Sequence, residues 1–118
     1  MSQGYWKTHA AAWPVTSLSL GSQTYSQPEL LAILGQPVVG DASLILSRQL
    51  IAAKLNRANG SDATVITATI TSADSLLSAF SGRLPYMVKP SSSMGQAMTT
   101  LAARLNHYNS GPECPARG

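Results

Sequence analysis

The sequence predicts a mainly α domain: a compact helical bundle around one buried central helix (about 42–59), with one small β-hairpin (about 17–25). Three observations carry this. Asp41–Gly60, DASLILSRQLIAAKLNRANG, puts apolar residues nearly all round a helical wheel. Leu44, Ile51, Leu55 and Ala58 form one stripe, Leu46, Leu50 and Ala53 a second, and Ile45 with Ala52 a third. A surface helix needs one such stripe, so this helix is enclosed by its neighbours. Two further windows, Thr64–Phe80 and Ser92–Asn109, have helical periodicity, whereas only 17–25 alternates as a hairpin does.

In chain order, Tyr5–Trp13 reads as a short helix that Pro14 ends, with Trp6, His9 and Trp13 on one face at i, i+3 and i+7. Leu18 and Leu20 alternate with serines up to Gly21-Ser22, and Thr24-Tyr25 follows, the pattern of a hairpin with a two-residue turn. Ser26-Gln-Pro-Glu29 is a capping box that opens a helix through Leu34, and Gly35 ends it. Asp41 caps the central helix, and Gly60 closes it in the left-handed conformation. Arg48, Gln49, Lys54 and Asn56 interrupt its stripes and need partners wherever they are covered.

Thr64–Phe80 begins with a β-branched run that could be a strand. The longer window favours a helix, with Val65, Ile66, Ile70, Ala73, Leu76, Leu77 and Phe80 on one face. Gly82–Pro90 reads as a loop whose Tyr86, Met87 and Val88 cover part of the core. The last helix, 92–109, carries a narrow stripe of Met94, Ala97, Met98, Leu101, Leu105 and Tyr108. Residues 1–110 thus form a single helical domain, and 111–118 a flexible Gly/Pro tail.

Composition narrows the function. At 118 residues the chain can bury a core without metal or disulfide. Charged residues are only 11%, against about 25% in ordinary domains. The net charge of +3 rests on scattered cations, with no Lys/Arg cluster interleaved with aromatics, which argues against nucleic-acid binding. No apolar run approaches the length of a membrane span. Cys114, the one cysteine, can make neither an internal disulfide nor a cysteine-based zinc site.

Gly4-Tyr-Trp-Lys-Thr-His9, Ala12-Trp-Pro14, Leu18-Ser-Leu-Gly-Ser-Gln-Thr-Tyr25, Leu50-Ile-Ala-Ala-Lys-Leu-Asn56 and the terminal Cys114-Pro115 carry a resemblance. Together they resemble a family of small domains in predicted secreted bacterial proteins with no established activity. The resemblance implies an extracellular setting, with the export signal outside this stretch, and implies no catalytic residues. Such domains could pair a cysteine just before the first motif with the terminal one. Here Met1-Ser-Gln3 stands in that place, so the bridge is absent.

His9 is the first candidate for chemistry, because a neutral-pH imidazole serves as general base or ligand. It adjoins Lys7 and shares the predicted face with Trp6 and Trp13. The competing reading makes both indoles core anchors and His9 a partner of a backbone carbonyl. Arg48 and Gln49 are either struts to the protein itself or the floor of an anion pocket. His107 lies opposite the apolar stripe of its helix and is expected in solvent. No HxxxH or HxH spacing supports a metal site, no hydrolase motif is present, and no cofactor is implied.

Two functions follow as expectations. The first is a secreted or cell-surface binding or accessory module for an unknown small molecule or surface partner, with Trp6, Trp13 and Gln49 as ligand-binding residues. The second is a small metal-independent hydrolase of esters or phosphoesters, using His9 as base with Lys7 and Arg48 for the developing anion.

Overall fold

A computed structural model describes residues Met1–Gly111. Cys114, with residues 112–118 of the predicted tail, lies outside the described residues. The elements run α1 (Gln3–Thr8), a 3-10 turn (Ala10–Ala12), β1 (Ser17–Leu20), β2 (Gln23–Ser26), α2 (Gln27–Gly35), α3 (Ala42–Ala58), α4 (Thr67–Ser78) and α5 (Ser93–Asn109). The described chain is therefore mainly α with one antiparallel hairpin, as the periodicities predict.

α3 is the axis of the fold. Asp41 caps it by accepting a hydrogen bond from the Ser43 amide at 2.9 Å, and Gly60 follows its end at φ 96°. Residues 50–56 are all buried, because α5, α1, α2, α4 and β1 all pack against the helix. The polar residues caught inside find partners, as buried polar groups must. Lys54 Nζ lies 2.7 Å from Asp74 Oδ2 on α4 and donates to the Ser19 carbonyl on β1 at 2.6 Å. The Gly21 amide donates to the same carboxylate at 2.9 Å, so one ion pair ties α3, α4 and the hairpin turn together. Gly21 is required there: its φ is 65°, and a β-carbon would stand 2.9 Å from the Leu77 backbone.

The hairpin pairs Ser17 with Ser26 through Leu20 with Gln23, around the two-residue turn Gly21-Ser22. Only Leu20 and Tyr25 of its strands are buried, so it is held by packing on the helices and not by its own ladder. Ser26 and Glu29 form the reciprocal capping box at the start of α2. The Ser26 amide, donating to Glu29, holds that carboxyl below the usual range.

Four local expectations need correction. Tyr5–Trp13 is not one helix: α1 stops at Thr8, and His9 turns out of helical geometry at φ −127°, ψ 54°. The cause is local, since side chains take the carbonyls that the next turn would use. Thr8 Oγ1 donates to Gly4 O, and His9 Nδ1 sits 2.8 Å from Tyr5 O. Next, α4 starts at Thr67 and not Thr64, because Asp62 accepts from both the amide and the hydroxyl of Thr64 and holds a turn there. Val65 is consequently 72% exposed, while Ile66, Ile70, Ala73 and Leu77 face the core.

Third, Met87 does not cover the core but is 74% exposed at φ 56°. The buried Asp41 carboxylate accepts from the amides of Met87 and Val88, which turns Val88 inward and Met87 outward. Fourth, α5 is rotated from its sequence stripe. Gly95, Met98, Ala102, Leu105, Tyr108 and Asn109 are buried, whereas Ala97 is exposed and Leu101 half-buried. Two contacts pin this rotation. Gly95 lies so close to Lys89 that a β-carbon would collide with its carbonyl, and Asn109 is hydrogen-bonded to α3.

Candidate functional site

The N-terminal residues singled out by the sequence are mostly occupied in holding α1 together and to α3. Trp6 is 1% exposed, and its indole N–H donates to Asn56 Oδ1 at 3.0 Å. It cannot present a face to a ligand, so the expectation of Trp6 as a binding residue is corrected. Trp13 is half-buried, with its indole N–H donating 2.9 Å to the Trp6 carbonyl. His9 is exposed, stacked on Tyr5 at 4.0 Å. A carbonyl can only accept, so Nδ1 carries the proton directed at Tyr5 O. Thr8, His9 and Trp13 together cap the last carbonyls of α1.

Arg48 is half-buried and donates from Nε and Nη2 to Gln3 Oε1 at 3.3 and 3.1 Å. Lys7, exposed, stands one turn beyond Gln3 on the same face of α1. Tyr5, which carries the stacked His9, is about 200° round the helix from Gln3. Lys7 and Arg48 therefore share a face that His9 does not, and the three do not converge on one point. Gln49 accepts from Asn109 Nδ2 through both its carbonyl, at 3.1 Å, and its side-chain oxygen, at 3.0 Å.

Asn109 and Asn56 complete a buried network that the sequence only hinted at through Asn56. Asn56 Nδ2 donates to Asn109 Oδ1 at 3.0 Å and to the Met1 carbonyl at 2.7 Å. The chain Trp6–Asn56–Asn109–Gln49 thus fastens α1, α3 and α5 with its polar groups turned on one another. Such a network specifies a packing and leaves nothing for a ligand. A second polar cluster is likewise closed: Arg83 pairs with Glu29 at 2.6 Å and lies 4.2 Å over the Tyr25 ring.

Free chemistry lies between α4 and α5. A cleft of about 590 Å³ is lined by Val65, Ile66, Thr69, Ala103, Arg104, His107 and Tyr108. Its size suits a small ligand, and its walls are mainly apolar. The Arg104 and His107 side chains, one turn apart on α5, make no hydrogen bond or ion pair among the described residues. Among the described residues no carboxylate lines the cleft, and α5 contains none. Those of Glu29, Asp41, Asp62 and Asp74 are engaged elsewhere. A guanidinium that no described carboxylate opposes, beside an apolar wall, can hold an anion whose other end is apolar. His107 was expected in solvent and is exposed. The signal for its role was the Arg-x-x-His spacing on a helix without acids, which gains meaning only once Val65 and Ile66 stand opposite.

Among the described residues, no three His, Cys, Asp or Glu side chains gather to hold a metal ion, and no helix is long and apolar enough to cross a membrane. No protein-family model matches the chain, and no curated protein or solved structure matches it either.

Proposed function

We propose that this domain is a binding module whose site is the α4/α5 cleft, and that it takes an amphipathic ligand with an anionic group. The observation that supports this is the pairing of Arg104 and His107, which have no polar partner among the described residues, with the apolar wall of Val65 and Ile66. The anion would meet Arg104 and His107, and the apolar body would cover Val65, which is otherwise left largely in water. A secreted or cell-surface setting, as the resemblance of the sequence implies, belongs to the same reading. The alternative of a small hydrolase of esters or phosphoesters has no converging His9, Lys7 and Arg48 to support it.

The test is an amide-resolved NMR titration with 4-phenylbutyrate, and with the corresponding neutral amide as control. Shifts should cluster at Thr69, Ala103, Arg104 and Tyr108, and the carboxylate should bind more tightly than the amide. An exposed ion pair contributes about 0.2–1 kcal/mol, so Arg104→Ala should weaken the carboxylate roughly two- to fivefold. Shifts centred on Trp13 and His9 instead, or none at all, would overturn the assignment of the site.

A further inference from the structure

We infer that the ligand of this site is a peptide segment lying along the whole α4/α5 groove, with a carboxylate at its Arg104/His107 end. The inference rests on reading the first cleft as the binding site and extends it along the same two helices. A second cleft, of about 690 Å³, is lined by Thr71, Ser75, Leu76, Ser93, Ala97 and Leu101 among others. α4 and α5 run antiparallel here: residues 65–69 face 103–108, and 71–76 face 93–101. The two clefts therefore lie end to end. At about 1.5 Å rise per residue they span roughly 16–22 Å. That is about five or six residues of extended peptide.

The lining distinguishes a peptide from a hydrocarbon chain. Leu76 and Leu101, half-buried at the edge of the core, and exposed Ala97 leave apolar surface along this cleft. Around them, the hydroxyls of Thr71, Ser72, Ser75 and Ser93 make no hydrogen bond among the described residues. Thr100, which also lines the cleft, is spent on the Gln96 carbonyl, as outside it Ser78 is on the Asp74 carbonyl and Thr99 on the Gln96 carbonyl. A hydrocarbon would strip water from those free hydroxyls and return nothing, which is costly. A peptide backbone offers alternating donors and acceptors to meet them, and its side chains can cover Leu76 and Leu101. Charge sets the direction, because among the described residues neither cleft is lined by a carboxylate and the guanidinium that lines them, Arg104, is at the Val65 end.

The test uses fluorescence anisotropy with a labelled hexapeptide that alternates leucine and serine and ends in glutamate. Its control ends in glutamine with an amidated terminus. The acidic peptide should bind about two- to fivefold more tightly than the neutral one, and Arg104→Ala should erase that difference. Ala97→Trp and, separately, Ser75→Trp fill the second cleft from exposed positions. Each should weaken the acidic peptide at least tenfold while leaving 4-phenylbutyrate binding in the first cleft unchanged. Circular dichroism of both variants establishes that they remain folded. Equal affinity of the two peptides, or unchanged peptide affinity in both tryptophan variants, would overturn the peptide while the carboxylate titration still judges the first cleft. Binding of decanoate that both tryptophan variants abolish, without binding of either peptide, would overturn it in favour of a lipid chain.

Discussion

The N-terminal aromatic segment and the α4/α5 groove use their polar groups in opposite ways. Around Trp6, the indole, Asn56, Asn109 and Gln49 are turned on one another inside the protein. Along the groove, Arg104, His107 and several hydroxyls face outward with no partner in the described chain. The aromatic segment holds the residue types usually suspected of chemistry, whereas the groove is built from ordinary ones. A rich set of side chains signals a site only when some of their bonding capacity is left over after folding.

The largest effect expected is on the closed side. Trp6→Ala should destabilise the protein by about 3–5 kcal/mol, the cost of deleting a fully buried aromatic ring. Urea unfolding measures it, and a loss below about 1 kcal/mol would show that Trp6 is not an anchor. Asn56→Leu should cost about 2–4 kcal/mol, because it leaves the Trp6 N–H and the Asn109 side-chain oxygen without a buried partner. If Trp6→Phe and Asn56→Leu combine additively, the network does not act as a unit.

On the open side, Arg104→Ala should alter stability by no more than about 0.5 kcal/mol, as expected where a side chain makes no polar contact with the described residues. Its effect should fall on ligand binding alone. A marked drop in unfolding midpoint would show that Arg104 is structural and would erase the contrast between the two regions.

The smallest effect probes a group of intermediate kind. The Tyr86 phenol donates to the Gly82 carbonyl at 2.9 Å and stacks on Phe80. Burial, helped by the neighbouring Tyr25, pushes its pKa up to about 12. In the unfolded chain a phenol titrates near 10. Between those values the folded protein holds a proton that the unfolded chain has lost, so stability must fall as pH rises from about 10 to 12. Thermal unfolding midpoints across that range should fall less steeply in Tyr86→Phe. Equal slopes would show that Tyr86 is not the group responsible.

The features that the sequence determined by itself are those decided within a few residues. The Ser26–Glu29 box, the Asp41 cap, the Gly21-Ser22 turn and the enclosed α3 each depend on local hydrogen bonds or on one helix's own periodicity. Periodicity also required Lys54 and Asn56 to have partners, without saying which. Those partners, Asp74 on one side and Trp6, Asn109 and the Met1 carbonyl on the other, come from segments 20 to 55 residues away. The tertiary structure likewise decided how far α5 turns and that Val65 stands beside Arg104. The rotation of a helix is set by what it meets, here Gly95 against Lys89 and Asn109 against Gln49. Whether a polar side chain is free for a ligand is settled only after every distant segment has taken the bonds it needs.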